Sequence, residues 1–164
     1  MEPFKSILVD VDADARAQPA LERAIRLARS CQATLTIADV MTGTTTARRH
    51  LPAALEENMV STRRSQLEEL ARGVSEVPAE SRLLVGRPAT VLIQEVLRSD
   101  HDLLMRSHAR DLTATGAQPF GAVDMELLRK CPCPVLLVRH GSPAPRPRIV
   151  AAVNERPTMA KNAP

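Results

Sequence analysis

Acidic side chains follow the first apolar run of the chain, and carboxylates at this spacing could bind a metal ion. Asp10, Asp12 and Asp14 come after Ile7-Leu-Val, where a buried strand is expected to break into a loop. Three carboxylates could hold Mg²⁺, but alternate residues at a strand end point to different faces of the sheet. We therefore expect these residues to cap the loop, with no metal site.

A histidine after a later apolar segment raises the question of acid–base catalysis. His108 could pair with Asp111 or Asp124 in the region that follows it. No nucleophile motif of the G-x-S-x-G kind accompanies this histidine, so nothing completes a catalytic set. We interpret His108 as a polar loop residue and predict that the protein is not an enzyme.

The cysteines offer a third kind of chemistry, because a close thiol pair such as Cys131-Pro-Cys133 could bind zinc or undergo redox exchange. A second ligand pair at metal spacing is absent, and the prolines explain the segment as a helix stop. With Cys31 the count is three, which fits free thiols in a reducing compartment. We expect thiols packed in the core and no metal.

Alternating apolar patterns predict the elements that would position these side chains. Short runs rich in Leu, Ile, Val and Thr indicate strands, whereas apolar residues at i, i+3, i+4 and i+7 indicate helices. Strands are predicted at 6–11, 33–40, 82–85, 102–105 and 135–138; helices begin near 19, 51 and 88, and Asp124 caps a short one through Lys130. This alternation requires right-handed crossovers, and hence a mostly parallel sheet with helices on both faces.

The loops at the carboxyl ends of these strands are the expected place for a site, because open parallel sheets bind ligands there. These loops are predicted at 10–14, 41–46, 86–88 and 106–122. The charged residues of the long second helix, Arg63 and Arg64 among them, are interpreted as a solvated face.

Composition excludes several classes of protein. A chain of 164 residues suits one hydrophobic core, which must be aliphatic because Trp and Tyr are absent. No apolar run reaches the roughly 18 residues of a membrane span, and the N-terminus lacks a secretory pattern, so we predict a cytoplasmic protein. The net charge of +3 comes from scattered arginines without stacking aromatics, which predicts no nucleic-acid binding.

The C-terminal part of the chain differs from the rest. Residues 1–140 are predicted to form one domain and 141–147 a Pro-rich linker. In the tail, 148–164, the segment Ile149-Val-Ala-Ala-Val-Asn154 repeats the apolar pattern of Ile7-Leu-Val-Asp-Val-Asp12. An apolar strand without its own domain needs a partner, so we expect the tail to add to a sheet edge or to a neighbouring chain.

Residues 4–139 resemble the universal stress protein family, and within it the N-terminal domain of tandem-domain members of the E type. The tail then looks like the opening strand of a second, incomplete domain. The segments that carry the resemblance are Ile7-Leu-Val-Asp-Val-Asp12, Val85-Gly-Arg-Pro-Ala89, Asp102-Leu-Leu-Met-Arg-Ser-His108 and Leu127-Leu-Arg-Lys-Cys-Pro-Cys-Pro-Val-Leu-Leu-Val138.

The resemblance implies an α/β fold of the Rossmann-like, adenine-nucleotide alpha-hydrolase-like kind. This fold is a three-layer sandwich around a five-stranded parallel sheet in the order 3-2-1-4-5. The resemblance also implies a homodimer formed through the fifth strand.

The resemblance further implies where a nucleotide would bind. ATP-binding members carry G-x2-G-x9-G-[ST] after the fourth strand, where small residues let backbone N–H groups approach the phosphates. Here Arg106 and Ala109, after Met105, stand at the first two glycine positions, and Ala122 stands at the hydroxyl position. Gly121 is kept, but eleven residues rather than nine separate it from the second position.

The adenosine end of the implied site is better kept than the phosphate end. Asp12 matches the ribose-contacting aspartate and Val40 the adenine-side valine. Side chains at Arg106 and Ala109 would disfavour positive φ and hold the backbone away from a triphosphate, although the arginine could hold a phosphate by charge. Family-type ATP binding, a remodelled anion or nucleotide pocket and an empty remnant remain alternatives, and the sequence favours the remnant.

Two functions from different classes follow. The first is a stress-response interaction module that binds unknown protein partners as a non-catalytic dimer and needs no cofactor. The alternative is a switch in which an adenine nucleotide, held by Asp12 and Arg106, orders residues 106–122 and alters the dimer.

Overall fold

The computed structural model describes residues 3–42, 53–108 and 120–139. The strands within these ranges are all parallel and lie in the order β3-β2-β1-β4-β5. The predicted α/β fold and strand order are therefore confirmed. The elements in chain order are β1 (Ser6–Val11), α1 (Pro19–Cys31), β2 (Thr34–Met41), α2 (Ala53–Gly73), β3 (Ala79–Val85), α3 (Pro88–Arg98), β4 (Leu103–His108), α4 (Ala122–Lys130) and β5 (Val135–Arg139).

The central strand β1 is buried on both of its faces because helices cover both sides of the sheet. Ile7 packs with residues of α1 and with Leu67 of α2 on one face. Leu8 packs with Leu92 of α3 and Leu127 of α4 on the other. Successive side chains of a strand point to opposite faces, so a strand covered on both sides reads as a continuous apolar run.

The helices begin and end where local signals in the sequence place them. Pro19 opens α1, where its missing N–H removes no helical hydrogen bond. Gln32 ends α1 in the left-handed conformation, with φ of 57°. Within the described ranges, no helix has both the length and the hydrophobicity that crossing a membrane requires.

Strand β4 is longer than the sequence predicts, and this changes the position of the candidate site. It ends at His108, so the prediction that His108 is a loop residue is wrong. Arg106 pairs with Asp10 of β1 on one side and with Leu137 of β5 on the other. Arg106 therefore lies within the sheet. The prediction that a loop begins at this residue is wrong.

Several predictions concern residues that lie outside the described ranges. They therefore stay predictions. The residues concerned are Ala109 and most of the loop 106–122, the linker 141–147, and the tail 148–164.

Gly86 allows the chain to leave β3. Its φ of 145° is rarely adopted by residues with a side chain, and an added Cβ would lie 2.7 Å from Val91 Cγ1. We expect Gly86→Ala to lower the free energy of unfolding by about 1–3 kcal/mol in urea titrations. Gly73→Ala is the matched control, because a Cβ at this last residue of α2 meets nothing within 4 Å. Equal losses in the two variants would contradict this account.

Candidate functional site

Charged side chains gather at the carboxyl edge of the sheet, where β1, β2 and β4 end and α4 begins. Among the described residues the group holds five carboxyl groups and two guanidinium groups. We call it the carboxyl-edge cluster. Its members are Asp10, Asp12, Asp14, Asp39, Asp124, Arg63 and Arg106.

Arg106 is held by two buried carboxylates. The β1–β4 register sets it beside Asp10, and its Nη1 donates a hydrogen bond to Asp10 Oδ2. Its Nε lies 3.0 Å from Oδ1 of Asp124, in the first turn of α4. Asp10 and Asp124 are only 8% and 6% exposed. The guanidinium therefore neutralises charge inside the protein, where an unpaired carboxylate would be costly.

Arg63 forms the second half of the cluster. From α2 its Nε donates to Oδ2 of the buried Asp39, at 2.5 Å. Its Nη2 donates to Asp12 Oδ1 at 3.0 Å, and its Nη1 donates to Asp14 Oδ2. One side chain thus connects α2 to the ends of both β1 and β2.

Burial makes the ionised form of the Asp10 carboxyl group less favourable. Burial raises the pKa of this carboxyl from 3.8 to about 6. The Arg106 guanidinium opposes the rise in pKa, whereas the neighbouring Asp39 and Asp124 add to it. Carboxyl groups outnumber guanidinium groups in the cluster, so Asp10 is ionised at a cost that Arg106 only partly offsets.

The ribose and adenine positions implied by the resemblance have distinct surroundings. Asp12 follows β1, and its Oδ1 accepts the backbone N–H of Asp14 at 3.1 Å. The prediction that it caps the loop is thus confirmed. The same oxygen is taken by Arg63. Val40 is half-buried and packs against the core layer under α3 and α4.

The described residues of the implied phosphate site do not all lie on the same face of the sheet. Met105 is fully buried in the core layer under α1 and α2, on the face of β4 opposite to Arg106. Gly121 precedes α4 with φ of −70°, and an added Cβ would meet only Asp124 Oδ2, at 3.9 Å. Ala122 is the exposed first residue of α4. The backbone of the chain therefore does not itself require a glycine at 121.

Sequence reasoning missed several members of the cluster. The interpretation of Arg63 as part of a solvated face is wrong. A signal was available, because Arg63 precedes the buried Leu67 by four residues and so shares its inward face of α2. Asp39 is hidden within an apolar strand and gave no signal. The prediction that Asp124 caps α4 is wrong, because Gly121 is the N-cap residue and Asp124 lies within the first turn.

A cleft of about 320 Å³ opens on the α2 side of Arg63. Its walls come from the end of β2 and from one side of α2, and they combine thioether, amide, hydroxyl and charged groups. Neither Asp12 nor Val40 is part of its lining. The lining residues are Asp14, Met41, Asn58, Met59, Thr62, Arg63 and Gln66.

The fold is that of a Rossmann-like α/β domain with helices on both faces of a parallel sheet, and the comparisons identify its family. Residues 3–139 match the model of the Universal stress protein family, so the chain belongs to that family. It is 31% identical over 163 residues to universal stress protein E of Photorhabdus laumondii subsp. laumondii, covering 94% of the chain and 51% of the relative. It is 34% identical over 148 residues to universal stress protein E of Salmonella typhi, covering 85% of the chain and 46% of the relative.

The chain thus spans about half the length of these E-type relatives, and the resemblance to their kind is confirmed. Solved structures support the fold. A universal stress protein in complex with cAMP matches with a TM-score of 0.58 and 21% identity over 85% of this chain and 99% of that one. An Arabidopsis thaliana family member with AMP bound matches with a TM-score of 0.55 and 18% identity, covering 84% of this chain and 93% of that one. The universal stress protein from Archaeoglobus fulgidus in complex with dAMP matches with a TM-score of 0.52 and 20% identity, covering 83% of this chain and 98% of that one.

The raised pKa of Asp10 predicts a pH-dependent stability. The folded state binds more protons than the unfolded state between pH 3.8 and about 6, so this residue's contribution to stability falls as pH rises through that window. Relative to Asp10→Asn, the wild type should lose up to about 3 kcal/mol of unfolding free energy between pH 4 and 6.5. Urea titrations at several pH values measure the difference. Asp100→Asn, at an exposed turn, controls for the loss of one carboxyl, and a pH-independent difference for Asp10→Asn would refute the assignment.

Proposed function

We propose that this chain is a non-catalytic interaction module of the stress response, whose nucleotide site is closed by its own ion pairs. The observation that carries the proposal is that both arginines of the carboxyl-edge cluster are bonded to aspartates of the chain. Arg63 bonds Asp12, and Arg106 bonds Asp10 and contacts Asp124. Function then lies in association with partner proteins rather than in turnover.

The ribose end of the site is obstructed by charge. Asp12 is the residue that the family resemblance assigns to the ribose hydroxyls. A ribose that bonds Oδ1 of this carboxylate must compete with the Arg63 guanidinium and the Asp14 N–H for that oxygen. The charge-assisted bond of an arginine to a carboxylate is stronger than a neutral hydroxyl bond. The competition therefore favours the closed arrangement.

The phosphate end is obstructed more strongly. A phosphate held by Arg106 would have to draw the guanidinium away from Asp10 and Asp124, both of them buried. Removing one partner of a buried ion pair costs on the order of 3–5 kcal/mol. The phosphates would also approach a cluster in which carboxylates outnumber guanidiniums. Like-charge contact of this kind disfavours a triphosphate most.

An adenine-nucleotide switch is the second candidate. It is favoured by the solved relatives with cAMP, AMP and dAMP and by Asp12, whose side chain is 63% exposed despite its ion pair. Ligands with fewer charges than ATP would meet less repulsion from the carboxyl-edge cluster. In this form of the proposal the nucleotide displaces Arg63 from Asp12 and so loosens α2.

Nucleotide binding distinguishes the two candidates. Stripped full-length protein is dialysed to equilibrium against ATP, ADP, AMP and cAMP, with the Archaeoglobus fulgidus protein and dAMP as the positive control. We expect no sub-millimolar affinity for ATP and no ADP release over a long incubation. Sub-millimolar ATP binding would overturn the closed-site proposal. Sub-millimolar binding of AMP or cAMP alone would favour the switch.

The proposed module is a homodimer formed through β5. This strand lies at the edge of the described sheet, next to β4. The bond from Leu104 N–H to the Pro134 carbonyl fixes the register of the two strands, so the N–H of Leu137 points away from β4. An edge with outward N–H and carbonyl groups is a template for a second copy of the chain. The tail, 148–164, could extend such a contact.

The dimer proposal has a backbone-level test. Leu137→Pro removes the outward N–H while leaving the β4–β5 hydrogen bonds intact, and Leu137→Thr keeps the N–H as the matched control. By light scattering after size exclusion, we expect a dimer for the wild type and the threonine variant, and a monomer for the proline variant. A monomeric wild type, or a dimeric proline variant with native circular dichroism, would refute pairing through β5.

A further inference from the structure

A pair of thiols lies outside the carboxyl-edge cluster and has no part in the proposed function. Cys131 and Cys133 occupy the short connection between α4 and β5, and their Sγ atoms are 3.6 Å apart. Each residue is half-buried. The two sulfur atoms are therefore in contact with each other and remain within reach of small solutes.

The backbone holds this pair in place from both ends. The N–H of Cys131 bonds the Leu127 carbonyl at the end of α4, and the Pro134 carbonyl accepts the N–H of Leu104 in β4. Pro132 between the cysteines restricts the backbone further, since its ring fixes φ near −65°. Both side chains pack against the core layer that contains Leu127. The sulfur–sulfur contact is thus a feature of an ordered connection.

The predicted packing of these thiols in the core agrees with their contact with that layer. The direct contact between the two sulfur atoms is an additional feature, which the sequence did not predict. No group of three potential metal ligands exists in the part of the chain that the structure describes. Two adjacent thiols with partial exposure suit reversible two-electron oxidation. We propose that Cys131 and Cys133 are a redox-active dithiol, oxidised by a peroxide to an intramolecular disulfide.

The two cysteines take different parts in this reaction. Either thiol could donate the hydrogen bond that joins the two sulfur atoms. With Cys133 as the donor, this bond lowers the pKa of Cys131 to about 7. The same hydrogen bond, with burial, raises the pKa of Cys133. A thiolate is the reactive form of cysteine. Cys131 is therefore the attacking sulfur and Cys133 the resolving one.

The steps balance with a peroxide as the oxidant. The Cys131 thiolate attacks one oxygen of H₂O₂, the O–O bond breaks, and the hydroxide that leaves takes up a proton, giving a sulfenic acid and water. Cys133 then attacks the sulfenic sulfur, the S–O bond breaks, and its thiol proton leaves with the hydroxyl as a second water. Two thiols lose two electrons to one peroxide. A cellular thiol such as glutathione would reverse the change by thiol–disulfide exchange.

The test uses the full chain and a convenient peptide. Trypsin cuts after Lys130 and Arg139, so both cysteines fall in one fragment. After limited H₂O₂ and alkylation of the remaining thiols, we expect this fragment to be unalkylated and lighter by two hydrogens than the reduced peptide. Cys31 should remain alkylated in the same sample as the internal control. A disulfide between chains, or equal oxidation of all three cysteines, would overturn the proposal.

Single variants assign the order of the two steps. Cys133→Ser should accumulate a sulfenic acid at Cys131 that dimedone traps. Cys131→Ser should react more slowly at pH 7, because burial still disfavours the thiolate of Cys133 when Cys131 is absent. Native circular dichroism of both variants shows that folding is not the cause. Equal rates for the two variants, or stoichiometric Zn²⁺ that protects the pair from alkylation in the wild type, would refute the redox assignment.

Discussion

The structure depends on the neutralisation of carboxylates that are buried at one edge of a parallel sheet. Asp10 and Asp39 lie near the ends of strands that are otherwise mostly apolar, and each is almost inaccessible to solvent. Isolated charges in such positions are unfavourable, so each requires a cation held within hydrogen-bonding distance. Arg106 and Arg63 supply these cations. The position of both arginines is therefore fixed by the fold before any ligand is considered.

The same ion pairs join the layers of the domain. Arg63 connects α2 to β1 and β2, which lie beneath it, and Arg106 connects β4 to β1 and to the first turn of α4. In a nucleotide-binding site of this topology, the carboxyl edge would be open for a ligand. In this chain the groups that stabilise the layers are the ones that occupy that edge. Stability and the proposed closure of the site thus have one physical cause.

Much of the fold could be predicted from the sequence, because burial of a parallel sheet on both faces leaves a strong apolar pattern along each strand. The position of Arg106 at the first glycine of the phosphate motif was also visible. Its partners were not, since Asp10 is 96 residues away and only the β1–β4 register brings the two together. Arg63 was misinterpreted because a charged residue on an amphipathic helix is usually solvated, and only the buried Asp39 beneath it reveals its role.

The surrounding structure constrains Gly121 and Arg106 to different degrees. The backbone angle of Gly121 suits any residue, so a side chain can be accommodated at that position. Arg106 is different, because replacing it by glycine alone would leave two carboxylates without their counter-ion inside the protein. A variant that removes this guanidinium without loss of stability must therefore change Asp10, Asp124 and Arg106 together, because the three side chains form one electrostatic unit.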